Sequence, residues 1–222
     1  MIKKLQALKA KKGFTLVELV VVIAIIGVLA AILVPTMLGV VQDSRITSSN
    51  STAQQIKDRT TEFLTKMDAA KASFVGTEVE VPFYAKDGVW TMGRDNGDYS
   101  DYSDDNWLDG QNHWGTSFDT TDAENADNAN KDTQYIAYIA DSLSDLKTAV
   151  AVVYIKSGKV VGAAVIEGTT SAPSGVSFPS AADFTKGSST AFEGKAGVKN
   201  NTIIGTCPVL TLGTSSSSAA TT

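Results

Sequence analysis

The feature that most constrains this chain is an apolar run from Phe14 to Val34, broken only by Thr15, Glu18 and small residues. The segment ahead of it holds Lys3, Lys4, Lys9, Lys11 and Lys12 and no acid. Phe14 to Leu33 is 20 residues. At a rise of about 1.5 Å per residue, a helix of that length spans roughly 30 Å, the thickness of a bilayer's hydrocarbon core. The segment can therefore cross a membrane. Basic residues ahead of an apolar span stay on the cytoplasmic side, which predicts that everything after Val41 is exported.

A cleaved secretory signal and a plain single-pass anchor are the two ordinary readings of such a segment. The run is longer than the usual ~7–15-residue signal core and lacks an A-x-A-like site followed by a polar start, which argues against the first. Glu18 argues against the second, because a carboxylate inside a span costs a few kcal/mol unless it is paired or lies at the interface.

Lys12-Gly13-Phe14-Thr15-Leu16-Val17-Glu18, the apolar run and Pro35 together resemble the class III signal of type IV pilins and pseudopilins. The resemblance covers about the first 45 residues. It implies cleavage between Gly13 and Phe14 by a prepilin peptidase and N-methylation of Phe14. It implies further that Glu18 pairs with the Phe14 amine of a neighbouring subunit, neutralising both charges in an apolar filament core. Gly13, lacking a Cβ, suits close approach of an extended backbone to a peptidase. Pro35 removes the donor for the Ala31 carbonyl, and Gly27 and Gly39 weaken the helix on either side, so a kink near Pro35 is expected. The resemblance implies that Gly27 to Pro35 can lose helical order in the filament. The partners implied are other copies of the chain, minor pilins, the peptidase, an inner-membrane assembly platform with its ATPase, and lipid before assembly.

Beyond Val41 an amphipathic pattern through Ala53, Ile56, Thr60, Phe63, Leu64 and Met67 extends the helix to about Met67. The run Thr47 to Thr52 has modest helix propensity, so packing must carry continuity there. Thr148 to Tyr154 and Val160 to Ile166, joined by Lys156-Ser157-Gly158-Lys159, read as a β-hairpin at the centre of a sheet. Tyr135 to Ile139, Thr202 to Ile204 and Val209 to Leu212 are further strand candidates, and Val79 to Tyr84, interrupted by Pro82, reads as an edge strand or extended loop. The fold class expected is α+β: a long N-terminal helix, half transmembrane and half amphipathic, packed on a small antiparallel sheet. The divisions expected are a leader 1–13, an assembly helix 14–41, its amphipathic continuation 42–70, an exported domain 71–214 and a low-complexity tail 215–222.

Between Asp87 and Asp132 lie 12 acids against Arg94 and Lys131, with Trp90, Trp107 and Trp114 among them. Asp95, Asp98, Asp101, Asp104 and Asp105 could supply oxygens to a calcium ion, but EF-hand spacing is absent and a solvated acidic loop is the simpler reading. The tryptophans are expected to pin this segment to the domain. Removing the five leader lysines leaves 14 bases against 24 acids, a net of −10, which gives no surplus for general nucleic-acid binding.

His113 is the sole histidine and lies outside any G-x-S-x-G turn, and no phosphate or dinucleotide fingerprint is present, so no enzyme is expected. Cys207 is alone, which rules out an internal disulfide and suits a buried small hydrophobe. Many family members from Gram-negative bacteria close a C-terminal loop with two cysteines; this departure points to a Gram-positive type. The function expected is a pilus subunit serving adhesion, motility or DNA uptake. The alternatives are a pseudopilin of a type II secretion or competence system, and a membrane-tethered monomeric binding module.

Overall fold

The computed structural model describes residues 14–69, 78–93 and 128–214. The chain divides into two compact units, Met1–Ser44 and Arg45–Thr222. Helix α1, Leu16–Ala69, supplies the described part of the first unit and continues into the second. The helix runs through Pro35, and the Thr36 hydroxyl donates to the Leu33 carbonyl at 2.9 Å just after it.

In the second unit, α1 is followed by strands β1 (Glu78–Lys86) and β2 (Val89–Met92) and helix α2 (Asn128–Ser142). Strands β3 (Ala149–Lys156) and β4 (Lys159–Glu167), helix α3 (Ala181–Lys186) and five short strands complete it. The short strands are β5 (Ser188–Ser189), β6 (Val198–Lys199), β7 (Thr202–Ile203), β8 (Gly205–Cys207) and β9 (Thr211–Leu212). The main sheet is antiparallel, in the order β2-β1-β3-β4-β8. Asp87-Gly88 and Ser157-Gly158 join its two hairpins with positive φ at both central positions (53° and 83°, 50° and 73°), the turn that matches strand twist.

The sheet is covered on both faces. On one, Ala53, Ile56, Phe63 and Leu64 of α1, Tyr135 and Ile139 of α2 and Leu143 just after it pack with Val81, Phe83, Ala151, Val153 and Val165. On the other, Val150, Val152, Tyr154 and Ile166 pack under Val176, Phe184, Phe192, Ile204 and Leu210. Burial on both faces explains why β3 reads as an unbroken apolar run instead of alternating. A Cβ on Gly162 would lie 2.3 Å from the Phe184 ring, so a glycine is what lets α3 lie flat on β4.

The hairpin and central position expected of β3 and β4 are present. Other expectations are corrected. Tyr135 to Ile139 is helix, within α2, not strand. Val79 to Tyr84 lies in β1, an interior strand between β2 and β3, not an edge or loop. Pro82 is tolerated there because its carbonyl, and hence its missing N–H, faces the β2 side, where Gly93 N donates to Pro82 O beyond the last ladder pair. Thr202 to Ile204 and Val209 to Leu212 stay outside the main sheet: β7 pairs β6, and β9 pairs β5 in parallel. The strand that does join the main sheet in this region is β8.

The acidic stretch 87–132 begins inside the β1–β2 hairpin and ends within α2, so it is not one loop. Trp90, in β2, is buried against Phe83. Trp107, Trp114 and His113 lie outside the described residues. Cys207 is buried in β8, and burial pushes its thiol pKa up.

Candidate assembly site in the N-terminal helix

Every residue from Phe14 to Val41 is exposed, including Phe14 at 83 %, Leu16 at 80 % and Leu38 at 69 %. A row of Val, Ile and Leu side chains this long, left bare along one helix, is a surface that requires lipid or another apolar helix. α1 is long and apolar enough to cross a membrane. A Cβ added at Gly27 or Gly39 would meet nothing within 4 Å, so neither glycine is required by the chain's own packing.

At the start of this helix, Thr15 and Glu18 bond reciprocally. Thr15 N donates to Glu18 Oε2 at 2.9 Å and the Thr15 hydroxyl donates to the same oxygen at 2.6 Å. Glu18 N donates back to Thr15 Oγ1 at 3.3 Å. This is a capping box: it satisfies backbone donors that a helix start leaves open and places the carboxylate at the positive end of the helix dipole. Among the described residues, no basic group meets Glu18. Its carboxylate is oriented by Thr15 of its own chain.

Of the expected site residues, Phe14 stands at the start of the described chain, Glu18 in the first turn of α1, and Gly27 and Pro35 along its exposed length. Gly13 and the candidate calcium ligands Asp95, Asp98, Asp101, Asp104 and Asp105 lie outside the described residues. The role of Thr15 was not anticipated, although Thr15-Leu-Val-Glu18 carries the S/T-x-x-E signature that marks such a start.

Comparison with known proteins gives three findings. A family model described as "Domain of unknown function (DUF5021)" matches residues 46–211, and one described as "Prokaryotic N-terminal methylation motif" matches residues 8–34. Two curated relatives from Pseudomonas aeruginosa, each called "Fimbrial protein", are 44% identical over 50 residues, which is 22% of this chain. The match spans about a third (32%) of the length of those relatives. No solved structure matches the chain.

Proposed function

We infer that this chain, which belongs to the family described as "Domain of unknown function (DUF5021)" and is a type IV pilin by its N-terminal signal, is the structural subunit of a type IV pilus. The observation that carries the reading is the bare apolar helix, from Phe14 to Val41, on a chain whose second unit buries its own apolar residues in two cores. The helix waits in the cytoplasmic membrane, N-terminus inside. Prepilin peptidase cuts between Gly13 and Phe14, Phe14 is N-methylated, and an ATPase-driven platform moves the trimmed chain from lipid into a filament of its own copies and minor pilins.

Lipid tails are as apolar as the helix, so transfer into a bundle brings little net hydrophobic gain. Specificity must come from close packing at small residues such as Gly27 and from charge. Glu18 supplies the charge. Thr15 binds one of its oxygens, Oε2, and the other is directed to the Phe14 amine of the next subunit, which exists only after cleavage. Pro35 marks where the helix yields as the filament forms.

Glu18→Val tests this directly: the variant should insert into the membrane at wild-type levels and yield no sheared surface filaments. Wild-type filament yield from Glu18→Val would refute charge-directed assembly and favour a tethered monomer. A pseudopilin would leave the protein confined to the cell envelope, whereas the pilus reading requires it as the main component of the sheared fibres.

A further inference from the structure

The β6–β7 turn, the end of β4 and α1 border a half-open cavity of about 450 Å³ within the second unit. Arg45 and Ser48 line it from α1, Glu167 from β4, and Asn201, Thr202 and Ile203 from the turn and β7. The turn is held by positive φ at Asn200 and Asn201 (47° and 63°), and Asn200 Nδ2 donates to the Gly175 carbonyl at 3.4 Å. Among the described residues, no hydrogen bond or ion pair takes up the Arg45 guanidinium, the Asn201 carboxamide or the Thr202 hydroxyl. Glu167 receives the Thr52 hydroxyl on Oε1 at 2.8 Å, which fixes the carboxylate and leaves Oε2 for another donor.

The lining selects a ligand class. Its single guanidinium is matched by a single carboxylate, whereas a phosphate or polyanion site would need uncompensated cations. No aromatic ring lines it, so a nucleobase would have nothing to stack on. Its polar rim would be left unpaired by an acyl chain. What remains is a set of unpaired donors and acceptors, with Glu167 held by Thr52, over a small aliphatic floor of Ile166 and Ile203, the complement of a pyranose with its C–H face down and its hydroxyls outward. The larger cavity, about 540 Å³ under residues 170–180, does not offer this: Tyr154 already donates to the Pro179 carbonyl and Glu80 is already engaged.

We propose that the cavity between Arg45, Glu167 and Asn201 is a carbohydrate site that takes one or two neutral pyranose units. The site belongs to the single chain; only its repetition along a fibre, which would turn weak binding into avid attachment, rests on the filament reading.

Saturation-transfer NMR on the full chain in a sugar-free detergent tests it, with lactose and chitobiose as probes. Wild type should transfer saturation to ring protons of at least one sugar. The transfer should fall about ten-fold in Asn201→Gly, which keeps the left-handed turn, and in Arg45→Ala. It should be unchanged in Lys186→Ala, on α3. Melting by circular dichroism shows that each variant is folded, and Arg45→Ala decides the matter if Asn201→Gly is not. No transfer from wild type to either sugar, or transfer undiminished in the folded variants, overturns the proposal. So does binding of a hexa-aspartate peptide at Arg45 without sugar transfer, which would make the cavity a contact for an acidic segment. Because the readout is binding by dispersed chains, failure to polymerise does not affect it.

Discussion

Asn50 Oδ1 accepts the backbone N–H of Thr206 at 2.8 Å, joining α1 to the edge strand β8 across 156 residues of chain. Beside it, a Cβ on Gly205 would lie 2.2 Å from the Ser49 carbonyl oxygen, so strand and helix touch backbone to backbone. An edge strand otherwise offers open donors to any passing chain, and here α1 takes the place of a further strand.

Asn50→Ala removes the acceptor and leaves a half-buried N–H without a partner, which should destabilise the exported domain by about 1–3 kcal/mol. Asn50→Asp keeps an acceptor and should retain most of the stability. Urea unfolding of the full chain in detergent measures both, and an unchanged midpoint for Asn50→Ala would show that the bond does not hold β8.

Gly205→Ala puts a methyl group into backbone that cannot swing aside, and should cost about 3 kcal/mol. Gly27→Ala meets nothing within 4 Å in the single chain. It should strengthen the helix by up to about 1 kcal/mol while lowering filament yield, because the lost space is between copies. Equal effects of Gly205→Ala and Gly27→Ala on unfolding in detergent would contradict this division of roles.

Tyr138 on α2 is clasped by α1. Lys66 Nζ donates to its hydroxyl at 2.9 Å and lies 4.5 Å from the ring centroid, and Glu62 pairs with Arg59 and Lys66, both at 3.1 Å. The Tyr138 hydroxyl and Lys66 hold the Glu62 carboxyl down to about 2 from its ordinary 4.5. Because the folded value is the lower one, the clasp's contribution is complete above about pH 4.5 and is lost as pH falls toward 2. These side chains are exposed, so the effect is small. Tyr138 chemical shifts should be flat from neutral pH down to about 4.5 and move below it, and Glu62→Gln should abolish that movement. A transition near neutrality would show that another group controls α2.

Thr15→Val deletes the hydroxyl half of the capping box and should fray the first turn of α1 at a cost of about 1 kcal/mol, whereas Thr15→Ser should not. Amide exchange at Glu18 in micelles reads the difference. Equal protection in the two variants would mean that the hydroxyl is not what orders Glu18.

Much of this was legible in the residues, and the failures have physical causes. An apolar run of this length leaves little choice of structure in lipid, so that part of α1 is legible directly. Its weak stretch, Thr47 to Thr52, is held by distant partners that no local pattern shows: Ser49 under Gly205, Asn50 on Thr206 and Thr52 on Glu167. Tyr135 to Ile139 resembled a strand because its residues favour β structure, yet Tyr135, Ile139 and Leu143 recur every fourth residue and are all buried, the helical period that proved decisive. Pro82 suggested an edge, and only the register shows that its missing donor falls where no ladder bond is needed. In the assembly site, Glu18 stood out as the lone acid in an apolar run. Thr15 carries the S/T-x-x-E signature, but its role rests on a neutral hydroxyl that only the folded helix start brings onto Glu18.

The most direct test of the account is the intact mass of the chain recovered from sheared surface fibres. The account predicts a polypeptide that begins at Phe14, carries one added methyl group on its terminal amine, and makes up the bulk of the fibre. A chain found solely in the membrane fraction, with Met1 to Gly13 still attached, would contradict it.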